Sequence, residues 1–193
     1  MKIPQKYKLM ILILGVGLLL AGATGVSLAG LDMVNPVYLP ITFNDLIKGF
    51  TNPGFEYGAE GWVVQSNQDG DVVTTEAAHT GQWSAGLGNG TSSRLASISQ
   101  QVNVPQQAYV ATYFQRIGSQ ESCPGNNRVM VYINDQPYQH YNFCQDSNNG
   151  EWENKKIYLA PYKGQTVVFK LEFKSSTILN NFLYVDDFYF EQP

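Results

Sequence analysis

The stretch Asn52 to Trp62, NPGFEYGAEGW, decides how the rest of the chain is read. Asn52, Pro53 and Gly54 spell a turn, because proline fixes φ near the value a turn needs and glycine accepts positive φ without steric cost. Phe55 is a large apolar anchor with the carboxylate of Glu56 beside it. Gly58 and Gly61 mark a second turn before Trp62 opens the next apolar segment. A partner run lies at the far end, Phe182 to Phe190, FLYVDDFYF, strand-like but interrupted by Asp186 and Asp187. The reading places the folded domain between these two stretches and brings its first and last strands together in space.

Between them the signals are those of strands. Thr166 to Lys174 has the cleanest period of two in the chain, with Val167, Phe169, Leu171 and Phe173 inward and Val168, Lys170, Glu172 and Lys174 outward. Arg128 to Ile133 alternates in the same way, with Val129, Val131 and Ile133 inward. The turn Asn134-Asp135-Gln136-Pro137 follows, and Tyr138 to Phe143 is its expected hairpin partner. Trp83, Ala85 and Leu87 share one face of Gln82 to Leu87. Val72 to Thr75, Ala96 to Val104, Tyr109 to Arg116, Ile157 to Leu159 and Phe182 to Phe190 complete the set. Eight or so short strands separated by Gly, Asn and Pro turns, with almost no helical period, predict an all-β antiparallel sandwich or barrel. About 140 residues suffice for one core.

The N-terminus carries a different pattern. Lys2, Lys6 and Lys8 precede the apolar run Leu9 to Leu20, and small residues follow to Gly30. That order predicts a secretory signal over residues 1–29, with an uncleaved membrane anchor as the alternative. Residues 30–50, broken by Pro36 and Pro40, read as an extended linker that includes a short edge strand over Val37 to Phe43; the domain is expected over 51–193. Beyond Ala29, nine basic residues face sixteen acidic ones, a net charge of -7. So acidic a chain, with no basic run, argues against nucleic acid and anionic membranes as partners. The expected location is extracellular, or anchored on the outer face of the membrane by the N-terminal segment. Cys123 and Cys144 are the only cysteines. In an oxidising compartment they predict a disulfide, two unpaired thiols being the alternative.

The order NPGFEYGAEGW, HTGQWSAGLG, YVATYFQ, Trp152, IYLAPYKGQTVVFKLEF and FLYVDDFYF resembles bacterial carbohydrate-binding modules of families 4, 9, 16 and 22, jelly rolls of the galactose-binding-like type. The resemblance spans about Asn52 to Glu191. It implies a two-sheet jelly roll and a structural calcium where the first strand, the H-x-G turn and the last strand converge. The residues it points to are the Gly54 and Gly81 carbonyls with the carboxylates of Glu56 and Asp186. Calcium takes hard oxygen ligands of these kinds. The alternative is that Glu56 and Asp186 only accept backbone N–H groups. Asp186 is expected to share the inward parity of Phe188 and Phe190, with Asp187 turned to solvent.

A glycan or polysaccharide is the implied ligand, with a cell-surface protein as the alternative partner on the same fold. Trp62, Trp83 and Trp152 read as structural. The ligand candidates are outward-facing residues of the middle strands, Phe114, Arg116, Arg128, Tyr132 and Glu172, with Tyr138 and Tyr141 of the hairpin as a second patch. A planar ring beside a forked donor suits hydroxyl recognition. Catalysis finds no support: only His79 and His140 are present, and no nucleophile elbow, zinc motif or phosphate loop occurs. Adjacent residues of one strand point to opposite faces, so Asp186 and Asp187 do not form a glycosidase pair.

Overall fold

The computed structural model describes residues 49–67, 71–88, 94–147, 150–175 and 179–193. The signal or anchor, the linker up to residue 48 and the edge strand expected from the sequence fall outside the described residues. Among the described residues no helix is long and apolar enough to cross a membrane.

Ten strands follow in order: β1 (Val63–Ser66), β2 (Val73–Thr74), β3 (Ser84–Gly88), β4 (Arg94–Asn103), β5 (Val110–Ser119), β6 (Asn127–Ile133), β7 (Gln136–Phe143), β8 (Glu153–Tyr158), β9 (Thr166–Ser175) and β10 (Asn181–Glu191). They form two antiparallel five-stranded sheets, β1-β4-β9-β6-β7 and β2-β3-β10-β5-β8. This is the expected two-sheet sandwich. Neighbours in each sheet are mostly distant in sequence, so the fold is held by long-range pairing.

The core fills the space between the sheets. Val129, Val131 and Ile133 of β6 and Val167, Phe169, Leu171 and Phe173 of β9 are buried, as their alternation predicts. The same alternation leaves Arg128, Tyr132, Lys170, Glu172 and Lys174 on the outer face of the first sheet. Phe55, Trp62 and Phe188 are buried together at one end; Trp62 lies 5.0 Å and Phe55 6.1 Å from the Phe188 ring. Each such side chain stabilises the fold by about 1.5–3 kcal/mol relative to exposure. Phe50 joins them, 5.8 Å from Trp62 and 5.0 Å from Phe190, so the last residue assigned to the linker belongs to the core. The expected meeting of the two ends is present: Phe188 N–H donates to the Pro53 carbonyl at 3.2 Å.

Cys123 and Cys144 form a disulfide, with Cα atoms 5.3 Å apart. It ties the loop after β5 to the end of β7.

Two local expectations are corrected. In the Asn52–Gly54 turn the residues with positive φ are Asn52 (48°) and Phe55 (58°), not Gly54. Asn52 is held there by its own side chain, which donates to the Gly58 carbonyl and accepts the Tyr57 N–H. At 54 the space is tight: a Cβ there would lie 3.1 Å from Asp187 Oδ1. The second correction concerns β10, which carries a bulge between Asp186 and Tyr189, with Asp187 at φ 50°. A bulge inserts one residue and reverses the parity beyond it. Leu183 and Val185 face the core before it, Phe188 after it. Asp186 therefore does not share the parity of Phe188; it lies on the side of Phe182 and Tyr184.

Candidate functional site

Two separate clusters hold some of the predicted residues, one on each sheet. The first surrounds the turn 79–83. Asp186 is fully buried. Its Oδ2 accepts His79 N–H at 2.8 Å and Thr80 N–H at 3.4 Å, and its Oδ1 accepts Asp187 N–H at 2.8 Å. Glu56 Oε1 accepts the N–H groups of Gln82 and Trp83, both at 2.9 Å. Asp187, expected in solvent, is turned by the bulge onto the same loop. Its Oδ2 lies 2.6 Å from His79 Nδ1 and its Oδ1 accepts the Thr80 hydroxyl at 2.9 Å. Burial first, then the charge of Asp187, push the Asp186 carboxyl up to about 6, against the backbone donors that favour its ionised form.

These bonds match the alternative drawn from the sequence, in which Glu56 and Asp186 accept backbone N–H groups. Gly81 has φ 67°, and a Cβ there would collide with the Glu56 carboxylate, so that carboxylate is seated directly on the turn. Gly54 lies near the other two carboxylates, where a Cβ would be 3.1 Å from Asp187 Oδ1 and 3.6 Å from Asp186 Oδ1. One carboxylate thus lies at Gly81 and two lie near Gly54. Among the described residues, the cluster of three metal-type side chains within mutual reach is Cys123, Cys144 and Asp146, two of which are spent in the disulfide. A calcium at the 79–83 turn would therefore depend on backbone oxygens as well as carboxylates.

The ligand candidates divide. Phe114 and Arg116 lie on β5, in the second sheet, whereas Arg128, Tyr132 and Glu172 lie on β6 and β9, in the first. The outward parity was read correctly for each strand, but the sheet assignment was not available from alternation. Phe114 is further covered by the His79 ring, stacked with centroids 3.7 Å apart, which leaves that face closed to a sugar. Arg116 stands opposite Tyr184, whose hydroxyl donates to Glu76 at 2.7 Å.

The hairpin patch is corrected too. Tyr141 pairs with the core-facing Val129, and its hydroxyl points into the sandwich. It bonds Gln115 Oε1 and lies 3.3 Å from the Tyr113 hydroxyl. Burial raises both phenols well above their usual value. Tyr138 donates to the Tyr158 carbonyl and packs edge-on to Tyr162. It closes the open edge between β7 and β8 instead of lining a ligand face.

The outer face of the first sheet brings together the remaining three. Tyr132 donates its hydroxyl to Glu172 Oε1 at 3.1 Å, and Lys170 Nζ lies 4.3 Å over the Tyr132 ring and 3.8 Å from Glu172 Oε2. Cross-strand register sets Ser97, Glu172, Met130 and His140 in one row, and Leu95, Lys174, Arg128 and Asn142 in another. Lys170 and Lys174 were read as outward but not as site residues; their place beside Tyr132 and Arg128 depends on the β6–β9 pairing. A shallow depression of about 220 Å³ lies at the edge of this face, lined by Gln65, Asn67, Leu95, Ser97 and Glu172.

Comparison with solved structures identifies this architecture. A family 61 carbohydrate-binding module in complex with beta-1,4-galactotriose superposes with a TM-score of 0.55 at 19% identity, over 75% of this chain and 99% of that one. The fold is that of a carbohydrate-binding-module sandwich. The K3 adhesin domain of Lys-gingipain from Porphyromonas gingivalis w83 shares the sandwich, with a TM-score of 0.52 at 14% identity, covering 75% of this chain and 99% of that chain. A family 16 carbohydrate-binding module gives 0.49 at 20% identity, covering 74% of this chain and 99% of its own. No protein-family model matches the sequence, and no curated protein matches it.

Proposed function

We propose that this protein is a secreted, non-catalytic module that binds a glycan on the outer face of the β1-β4-β9-β6-β7 sheet. The observation that carries the reading is the triad of Tyr132, Glu172 and Lys170, in which a half-exposed ring is held by a hydrogen bond and a cation. Lys170 takes one face of the ring; the opposite face, beside the Glu172 carboxylate, is the one that would stack on the apolar face of a pyranose while its hydroxyls bond. The family 61 module of the same fold, solved with a galactotriose, supports the ligand class. Export is supported by the N-terminal pattern and by the Cys123–Cys144 disulfide, a bond typical of oxidising compartments.

Calcium is part of the same proposal. Asp186, Glu56 and the Gly54 and Gly81 carbonyls would hold it, and its role would be structural. It would neutralise a buried carboxylate and pin the 79–83 turn to β10.

The test is retention of the purified chain on a glycan and polysaccharide array, with and without calcium, for the natural protein and Tyr132→Ala. Retention on one glycan class, lost in Tyr132→Ala, is the expected result. Retention unchanged in that variant removes this face as the site. Silence across the array favours the alternative of an adhesive module for protein partners, a role consistent with the adhesin domain that shares the fold.

A further inference from the structure

The charge on the proposed glycan face differs from that of the molecule. Beyond Ala29 the chain has nine basic and sixteen acidic residues. Three of the nine, Arg128, Lys170 and Lys174, project from adjacent strands of one face. Arg128 and Lys174 are direct cross-strand partners in the β6–β9 ladder. Side chains so placed have Cβ atoms about 4.5–5.5 Å apart, and like charges there repel. Both side chains are exposed, and among the described residues neither has an ion-pair partner.

The other groups in the register rows do not cancel this charge. Leu95 flanks Lys174 on β4 and Asn142 flanks Arg128 on β7, both neutral. Glu172, one row along, is committed elsewhere: Oε1 to the Tyr132 hydroxyl and Oε2 towards Lys170. Asp135 also lies beside Lys170, at 4.0 Å. The Lys170 row is therefore balanced, and the Arg128–Lys174 row is not.

We propose that the ligand is an acidic glycan, and that Arg128 and Lys174 together take one carboxylate or sulfate of it while a sugar further along the same chain lies at Tyr132. The inference rests on the glycan-binding reading above and narrows its substrate class. A guanidinium fork donates to two oxygens of one oxyanion, and an ammonium beside it adds a point charge. Bound anion would also relieve the repulsion between the two cations. Four residues of strand separate Arg128 from Tyr132, about 13 Å, a distance that a short run of sugars spans. The negative charge elsewhere confines the contact with an acidic chain to this row of the face.

The experiment compares three polymers by affinity electrophoresis or calorimetry: polygalacturonate (carboxylate), dextran sulfate (sulfate) and neutral β-1,4-galactan. Vesicles containing phosphatidylglycerol serve as a fourth arm. The proteins are the natural chain, Arg128→Gln, Lys174→Gln and Tyr132→Ala. Expected is binding to one or both acidic polymers that weakens at least tenfold in either charge variant and again as salt is raised, with galactan bound weakly or not at all. Loss in Tyr132→Ala as well ties the anion pair to the aromatic. The charge variants should melt at the same temperature as the natural chain or slightly higher, because a repulsion is removed; a marked drop would overturn the pair as a ligand site. Galactan bound in preference to both acidic polymers overturns the acidic specificity while leaving glycan binding intact. Binding to the vesicles alone overturns both readings, as does silence in every arm.

Discussion

Asp187 Oδ2 lies 2.6 Å from His79 Nδ1, across 108 positions of sequence. The contact exists because a bulge gives Asp187 a left-handed backbone and swings its carboxylate onto the turn that Asp186 already holds through backbone donors. Two carboxylates therefore share one loop, and the charge of Asp187 helps raise the Asp186 carboxyl. Asp187→Asn keeps a residue tolerant of that backbone while removing the charge. The carboxyl of Asp186 should then titrate below its present value of about 6, as followed by carbon-detected NMR. An unchanged or higher value would mean that the two side chains are not coupled as the geometry requires.

The same carboxyl imposes a pH dependence on stability. Its folded pKa of about 6 exceeds the 3.8 of a free aspartate, so the folded state binds more protons between those values. The stabilising contribution is fully present below about 4 and is lost as pH rises through 6. The full swing is about 3 kcal/mol by linkage. Chemical denaturation in chelator should show stability falling over that window relative to Asp186→Asn. Calcium should flatten the slope, since a cation favours the ionised form.

Gly81→Ala should be costly. The residue sits at φ 67°, and its new Cβ would strike the Glu56 carboxylate. Backbone strain of this kind costs roughly 1–3 kcal/mol, and Glu56 would be levered off the Gln82 and Trp83 amides. A lower melting temperature, together with loss of any calcium-induced rise, is the expected pair of outcomes.

Tyr132→Phe and Tyr141→Phe make a matched comparison. Tyr132→Phe frees Glu172 on an outer face and should leave stability within about 0.5 kcal/mol while weakening glycan retention. Tyr141→Phe strips a buried hydroxyl from Gln115 and should cost about 1–3 kcal/mol without changing retention. The opposite pattern in melting and binding would exchange the roles assigned to the two tyrosines.

Much of the fold was legible in the chain. The alternation of Val167, Phe169, Leu171 and Phe173 named the buried face of β9 residue by residue, and the paired run in β6 did the same, because a period of two is written locally in the side chains. The aromatic anchors Phe55, Trp62 and Phe188 were equally readable: large apolar groups flanking turns have nowhere to go but the core. Cys123 and Cys144 announced their bond by being alone.

Only the tertiary structure decided the rest. Alternation says which residues face outward but not which sheet they belong to, and so Phe114 and Arg116 were grouped with Arg128 and Tyr132 although the two sets lie on different sheets. Tyr141 looked outward until its register with Val129 turned it inward. The β10 bulge reversed the parity of Asp186 relative to Phe188, because one inserted residue leaves no mark in the composition. Strand order, register and bulges are set by pairing between distant segments, and it is those pairings that put Lys170 over Tyr132 and Arg128 beside Lys174.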